Sequence, residues 1–242
     1  MDNIDLNDYV AGGYYIGAYT SRPEYKESYL PERIVSISEC RGDITKISLL
    51  PLDEESYSTY LEKQGLPKDK QDAARNWYET HWNEAISYPD VFYSLSAAKQ
   101  FASSFMELRE DHFILGIGLH KSFAENFVKE NDILISKHVS DERFKKMQLK
   151  RGEPFGANKI IRKRISLEPN GKILGFEPVS YFVGFGCGYV CNVDQFAMVE
   201  ELHTYPNEYG LIDSFEIAKI VRSWRKTDED YFPWLIVQYS IT

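Results

Sequence analysis

The sequence predicts an α+β fold, a mixed or antiparallel sheet with a cluster of helices packed on it. Three observations lead there. Candidate helices cluster between groups of candidate strands, with no regular βαβ alternation. Hydrophobic residues make up 43% and charged residues 27% of 242 residues, an ordinary globular balance. Seventeen Tyr, 14 Phe and 4 Trp supply enough apolar surface to bury without disulfide or metal staples. No internal repeat or linker interrupts the chain, so residues 1–242 read as one domain. The polar stretch 137–158 is the best candidate boundary.

The elements follow in order. Tyr14–Thr20 reads as a strand after the Gly12-Gly13 pair. Arg33–Ser38 and Ile44–Leu50 flank the turn-like Arg41-Gly42-Asp43 and suggest a hairpin. Asp53–Lys63 has an acidic first turn and stops at Gly65, as a helix would. Asp69–Ile86 carries Ala73, Trp77, Trp82 and Ala85 at roughly helical spacing, and Ser96–Arg109 starts on a serine cap. His112–His120 is apolar on both sides, as a central strand should be. Ser122–Glu130 reads as a short helix and Ile133–Ser136 as a strand. Ile160–Leu167 alternates apolar residues with charge, and Pro169-Asn170-Gly171 supplies a turn. Lys172–Gly175 and Tyr181–Val183 are strand candidates around Pro178. Asp194–Leu202 and Asp213–Lys226 read as helices, and Trp234–Ile241 as a closing strand.

Several functional classes are disfavoured. The acidic N-terminus lacks the order of a signal peptide, and no apolar stretch is long enough to span a bilayer. Three cysteines, Cys40, Cys187 and Cys191, give an odd count without framework spacing, which points to a reducing cytoplasm. A net charge of −9 opposes general binding to membranes or nucleic acids. No nucleophile elbow, phosphate loop or dinucleotide fingerprint is present. Cys187 and Cys191 with His203 lack a second close ligand pair, so neither a metal nor another cofactor is expected. The five histidines include no His-x-x-x-His pair; His81 and Glu84 share a helix face beside tryptophans, which favours packing over ligation. These features point away from an enzyme.

Two stretches offer alternatives. Gly184-Phe-Gly-Cys-Gly-Tyr-Val-Cys191 has a backbone permissive enough to approach a ligand or form a bulge, so a small-ligand site or enzyme there is one alternative. Between Arg143 and Arg164 stand nine basic residues and one acid, Glu153. That segment carries +8 and leaves −17 on the rest. A phosphate or nucleic-acid site is the second alternative, and a solvated hairpin paired with the acidic bulk is the plainer reading.

Acidic clusters at 53–55 and 200–201 suit helix ends. The tract Asp228, Glu229 and Asp230 instead precedes Tyr231, Phe232 and Trp234. Charge beside rigid aromatics is the composition of a recognition surface, so Asp228, Glu229, Asp230 and Tyr231 are the candidate partner-binding residues.

Two groups of residues also carry a resemblance. Tyr19-Thr-Ser-Arg-Pro-Glu-Tyr25 leads to Leu30-Pro-Glu-Arg-Ile-Val-Ser-Ile-Ser-Glu-Cys40. Later, Leu174-Gly-Phe-Glu-Pro-Val179, Cys191-Asn192 and Pro206-Asn-Glu-Tyr-Gly-Leu-Ile212 follow one another. Together they resemble the immunity proteins encoded beside bacterial polymorphic toxins. The resemblance implies a cytoplasmic inhibitor that binds one cognate protein toxin, and it transfers no site motif. A basic toxin would suit the acidic chain.

Overall fold

The computed structural model describes residues 4–19, 31, 34–38, 44–47, 54–88, 90–182, 184–188, 199–224 and 231–242. Among these, eight strands form one sheet: β1 (Tyr9–Tyr19), β2 (Ile44–Lys46), β3 (Ile86–Ser87), β4 (Val91–Phe92), β5 (His112–His120), β6 (Lys172–Tyr181), β7 (Phe185–Gly188) and β8 (Tyr231–Tyr239). Their order is β3-β4-β1-β5-β8-β6-β7, with β2 also beside β1, and every pairing between them is antiparallel. Eight helices accompany the sheet: α1 (Glu54–Lys63), α2 (Lys68–Thr80), α3 (Leu95–Phe105), α4 (Lys121–His138), α5 (Asp141–Lys146), α6 (Gly156–Arg162), α7 (Val199–Leu202) and α8 (Phe215–Ser223). The fold is α+β.

The central strands β1, β5 and β8 are buried along nearly their whole length on both faces. Their apolar runs have no polar face to show water, which is why alternation is weak in them. β1 starts earlier than its apolar stretch suggests. Gly12-Gly13 lies inside the strand as a bulge where the register with β5 shifts between Ala11 and Gly13. Gly13 has φ +131°, and a Cβ there would strike Val91 Cγ2 at 2.1 Å and Ile160 Cδ1 at 2.9 Å. The bulge thus lets β4 and α6 close on β1. β6 also runs unbroken through Pro178, which lies opposite Pro233 of β8; pairing of β8 with β5 extends only to Trp234.

The segment 34–38 is not a strand, and β2 pairs with β1, so the expected hairpin is not formed among the described residues. The 133–136 region belongs to α4. Its apolar run looks strand-like alone, but Ala124, Phe127, Asn131 and Ile135 recur every three or four residues and are buried together. α2 ends at Thr80, short of Trp82: His81 leaves helical geometry and its carbonyl accepts from the Glu84 and Ala85 N–H groups, in a turn where Asn83 takes φ +56° and that leads to β3. α3 is capped by Ser94 rather than Ser96: Ala97 N–H donates to Ser94 Oγ at 3.1 Å. Residues 160–162 complete α6, so the charge alternation from 160 to 167 is not a strand.

Most of the apolar interior is one cluster built on the sheet. A satellite core of Ile135, Val139, Phe144, Met147, Leu149 and Phe155 occupies the stretch that sequence marks as a boundary. Trp82 packs against both clusters. No helix of the described residues is long and apolar enough to cross a membrane.

Candidate functional site

The sequence-predicted recognition residues divide. Asp228, Glu229 and Asp230 lie outside the described residues. Tyr231 opens β8 and is 1% exposed; Phe232 and Trp234 are equally buried. These aromatics are core, and the Tyr231 ring offers no contact surface. Acid beside aromatic in the sequence marks a strand entering the interior. The Tyr231 carbonyl accepts from Arg222 Nε, which ties the end of α8 to the start of β8.

The Gly184–Cys191 stretch forms β7 at its start, and Tyr189–Cys191 lie outside the described residues. Its glycines serve close approach to β6. A Cβ on Gly186 would meet Ser180 Oγ at 2.3 Å, and one on Gly188 would meet Glu177 Oε1 at 2.2 Å. The backbone of Gly188 therefore lies over a carboxyl group that sequence reasoning did not single out.

Glu177 is fully buried in β6. Ser36 Oγ–H donates to Oε1 at 2.5 Å and Ile37 N–H to Oε2 at 2.7 Å. Ser36 Oγ in turn accepts from Ser38 N–H at 3.0 Å. Lys46 of β2 donates to the Ile37 carbonyl at 2.7 Å, and its ammonium lies 4.6 Å from the centre of the Tyr15 ring. One peptide segment is thus gripped on its N–H side by an acid and on its C=O side by a base. Burial pushes the Glu177 carboxyl up to about 7, against the opposing pull of its two donors and Lys46. A signal was present in the sequence: a lone carboxylate within the apolar run Leu174–Val179.

The basic segment forms a second cluster, at the corner where α4, α6 and the 152–154 turn meet. Asn158 of α6 is fully buried and Asn131 of α4 nearly so. Asn158 Nδ2 donates to Asn131 Oδ1 at 2.7 Å and to Asp132 Oδ1 at 3.1 Å, while its Oδ1 accepts from Arg162 Nε at 2.8 Å. Arg162 Nη2 closes the ring on Asp132 Oδ2. Beside this ring is a cleft of about 310 Å³, lined by Asp132, Ile135 and Ser136 of α4, residues 152–154 and Arg162. One residue on from Asn158 and Arg162, the ammonium groups of Lys159 and Lys163 lie 5.7 and 5.4 Å from the centre of the Tyr93 ring. Lys159 also donates to the Asn83 carbonyl, and burial with the nearby Lys163 lowers its pKa. Asn83 bonds Tyr93 at 2.5 Å and Glu153 at 2.6 Å.

Most of the other residues weighed from sequence have structural partners. His81 stacks on Trp77 with centroids 4.3 Å apart and its Nδ1 is 2.7 Å from the Trp77 carbonyl oxygen; Glu84 lies past the end of α2. Half-buried Trp77 also meets Phe92, Phe101 and Phe105. His112 is 8% exposed, its Nδ1 accepts from Arg109 N–H at 3.0 Å, and burial lowers its pKa. Cys40 and Cys191 lie outside the described residues, as does the side chain of Cys187. Among the described residues no group of three His, Cys, Asp or Glu side chains is placed to hold a metal ion. No family model, curated protein or solved structure matches the chain.

Proposed function

We propose that this chain is a binding protein, an immunity protein of the cytoplasm that neutralises a basic cognate toxin by covering its active surface. The observation that carries the reading is the fate of the basic segment. Five of its nine cations are engaged within the chain: Lys145 on Glu142, Arg151 on Asp141, Arg162 on Asp132, and Lys159 and Lys163 over Tyr93. Such internal use weakens a phosphate or nucleic-acid role for the segment, and the net −9 of the whole chain sets the long-range field. An acidic body draws in a basic protein and speeds its docking. The steering element is the tract Asp228, Glu229 and Asp230; Tyr231 takes no part in it because its side chain is in the core.

The test is association kinetics with the product of the neighbouring gene. Changing the three acids to Asn, Gln and Asn should lower the on-rate about tenfold at low salt and flatten its salt dependence, with thermal stability unchanged. Equal on-rates at low and high salt would refute steering. Loss of binding on changing Lys163 and Arg164, with the acids dispensable, would make the basic corner the interface and the partner acidic.

A further inference from the structure

The corner cleft has an open recognition edge that goes beyond a toxin-binding role. A guanidinium has two edges able to hold a carboxylate bidentately. In Arg162 the Nε–Nη2 edge is committed to Asn158 and Asp132, whereas Nη1 has no bond among the described residues. The group holding Arg162 is itself fixed, since Asn158 is fully buried and bonded at both ends of its amide. Arg162 is therefore preorganised, with its Nη1–Nη2 edge unspent, on the wall of a cleft of about 310 Å³. That volume sits at the small end of ligand pockets.

The rest of the lining narrows the guest. Asp132 and Glu153 bring two carboxylates. Each oxygen of Asp132 and of Glu153 accepts one bond from the protein, from Asn158 and Arg162 in the first case and from Asn83 and Lys150 N–H in the second. A carboxylate has roughly four acceptor sites, so both retain capacity. A bare anion would confront two negative groups, and a bare cation would confront the guanidinium. A guest with both charges satisfies all three. Ile135 and Pro154 add an apolar wall for a short side chain.

We propose that this cleft binds a small zwitterion of the α-amino acid class, its carboxylate on the Nη1–Nη2 edge of Arg162 and its ammonium against Asp132 and Glu153. The experiment titrates the full chain with L-valine, N-acetyl-L-valine and acetate, followed by calorimetry and by the Nε–Hε resonance of Arg162 in heteronuclear spectra. L-valine should bind saturably with a Kd of about 1 mM and shift that resonance, while the two half-ligands bind at least about tenfold more weakly. R162Q and E153Q should each weaken L-valine about tenfold or more. Circular dichroism establishes that both variants fold, and E153Q alone carries the test if R162Q does not. Absence of saturable binding, acetate binding as tightly as L-valine, or unchanged affinity in a folded variant would overturn the proposal. Toxin binding is not read in this experiment, so its outcome is separate from that of the immunity reading.

Discussion

Glu177 and Asp132 are both carboxylates that hold two segments together, and their surroundings give them opposite weight. Glu177 is inaccessible to water and holds segment 34–38 against β6 through two bonds to its oxygens. Asp132 also accepts two bonds, from Asn158 and Arg162, but its side chain is 47% exposed. The bonding looks alike, and the dielectric does not. Water competes for Asp132 and screens its charge, so the ion pair adds little. Nothing competes at Glu177, so its bonds and the cost of ionising it are both felt in full. The count of hydrogen bonds does not rank the two sites; access of solvent does.

The largest expected effect is at Glu177. At pH 5 the Glu177→Ala change should destabilise the fold by about 3–5 kcal/mol, because it opens a cavity and strands the Ser36 hydroxyl and Ile37 N–H without an acceptor. Urea unfolding would measure it; a loss below about 1 kcal/mol would place the clamp on a par with a surface pair.

The pH dependence sharpens the contrast. A carboxyl raised from 4.5 to about 7 on folding holds its proton in the folded state while the unfolded chain has released it. Stability therefore falls as pH rises between these values and is lower by about 3 kcal/mol above pH 7 than below 4.5, from this group alone. The Glu177→Gln protein should lack that fall and exceed the parent in stability by up to about 3 kcal/mol at pH 8, while differing from it by less than about 1 kcal/mol at pH 5. His112 acts in the opposite sense. Its lowered pKa makes the folded state resist a proton that the unfolded chain accepts, so stability from this group is lost as pH falls through the histidine range. Because His112 is common to both proteins, the difference between their pH profiles isolates Glu177. Parallel profiles would show that the carboxyl is not displaced in the folded protein.

These two sites also show how far sequence reaches. The central strand His112–His120 and the α+β class were legible because burial on both faces leaves an apolar run. The extent of α4 was not, since Ile133–Ser136 carries strand-like residues whose helical phase shows only against Asn131 and Phe127, one and two turns back from Ile135. Tyr231 misled because an aromatic after three acids has the same composition at a surface and at the mouth of a core strand. Of the corner site, the excess of basic residues was visible, but the amides that organise it were not. Asn131 and Asn158 are 27 residues apart and carry no charge, so only the packing of α4 against α6 brings them together.

An intermediate effect is expected at those amides. Asn158→Ala removes an acceptor from Arg162 and a donor from Asn131 and Asp132. It should cost about 1–3 kcal/mol, since Asn131 is left buried with a lost partner while Arg162 and Asp132 can turn to water. A cost equal to that of Glu177→Ala at pH 5 would mean that the corner is as shielded as the clamp.

The smallest effect belongs to Asp132 itself. Asp132→Asn keeps the size of the side chain and one acceptor oxygen. It removes the charge and turns an amide nitrogen toward one of the two donors, Asn158 or Arg162, and at this exposure water can replace the bond that is lost. With the arginine and the acid 39% and 47% exposed, the Coulombic part of the pair is spent largely in high dielectric. The change should therefore cost about 0–1 kcal/mol in dilute buffer and less in 1 M salt, where the screening length drops to about 3 Å. Chemical denaturation by urea, which adds no ions, at two salt concentrations would measure both values. A loss of about 3 kcal/mol that persists in high salt would show that Asp132 is held away from solvent, and the contrast between the two carboxylates would then fail at its polar end.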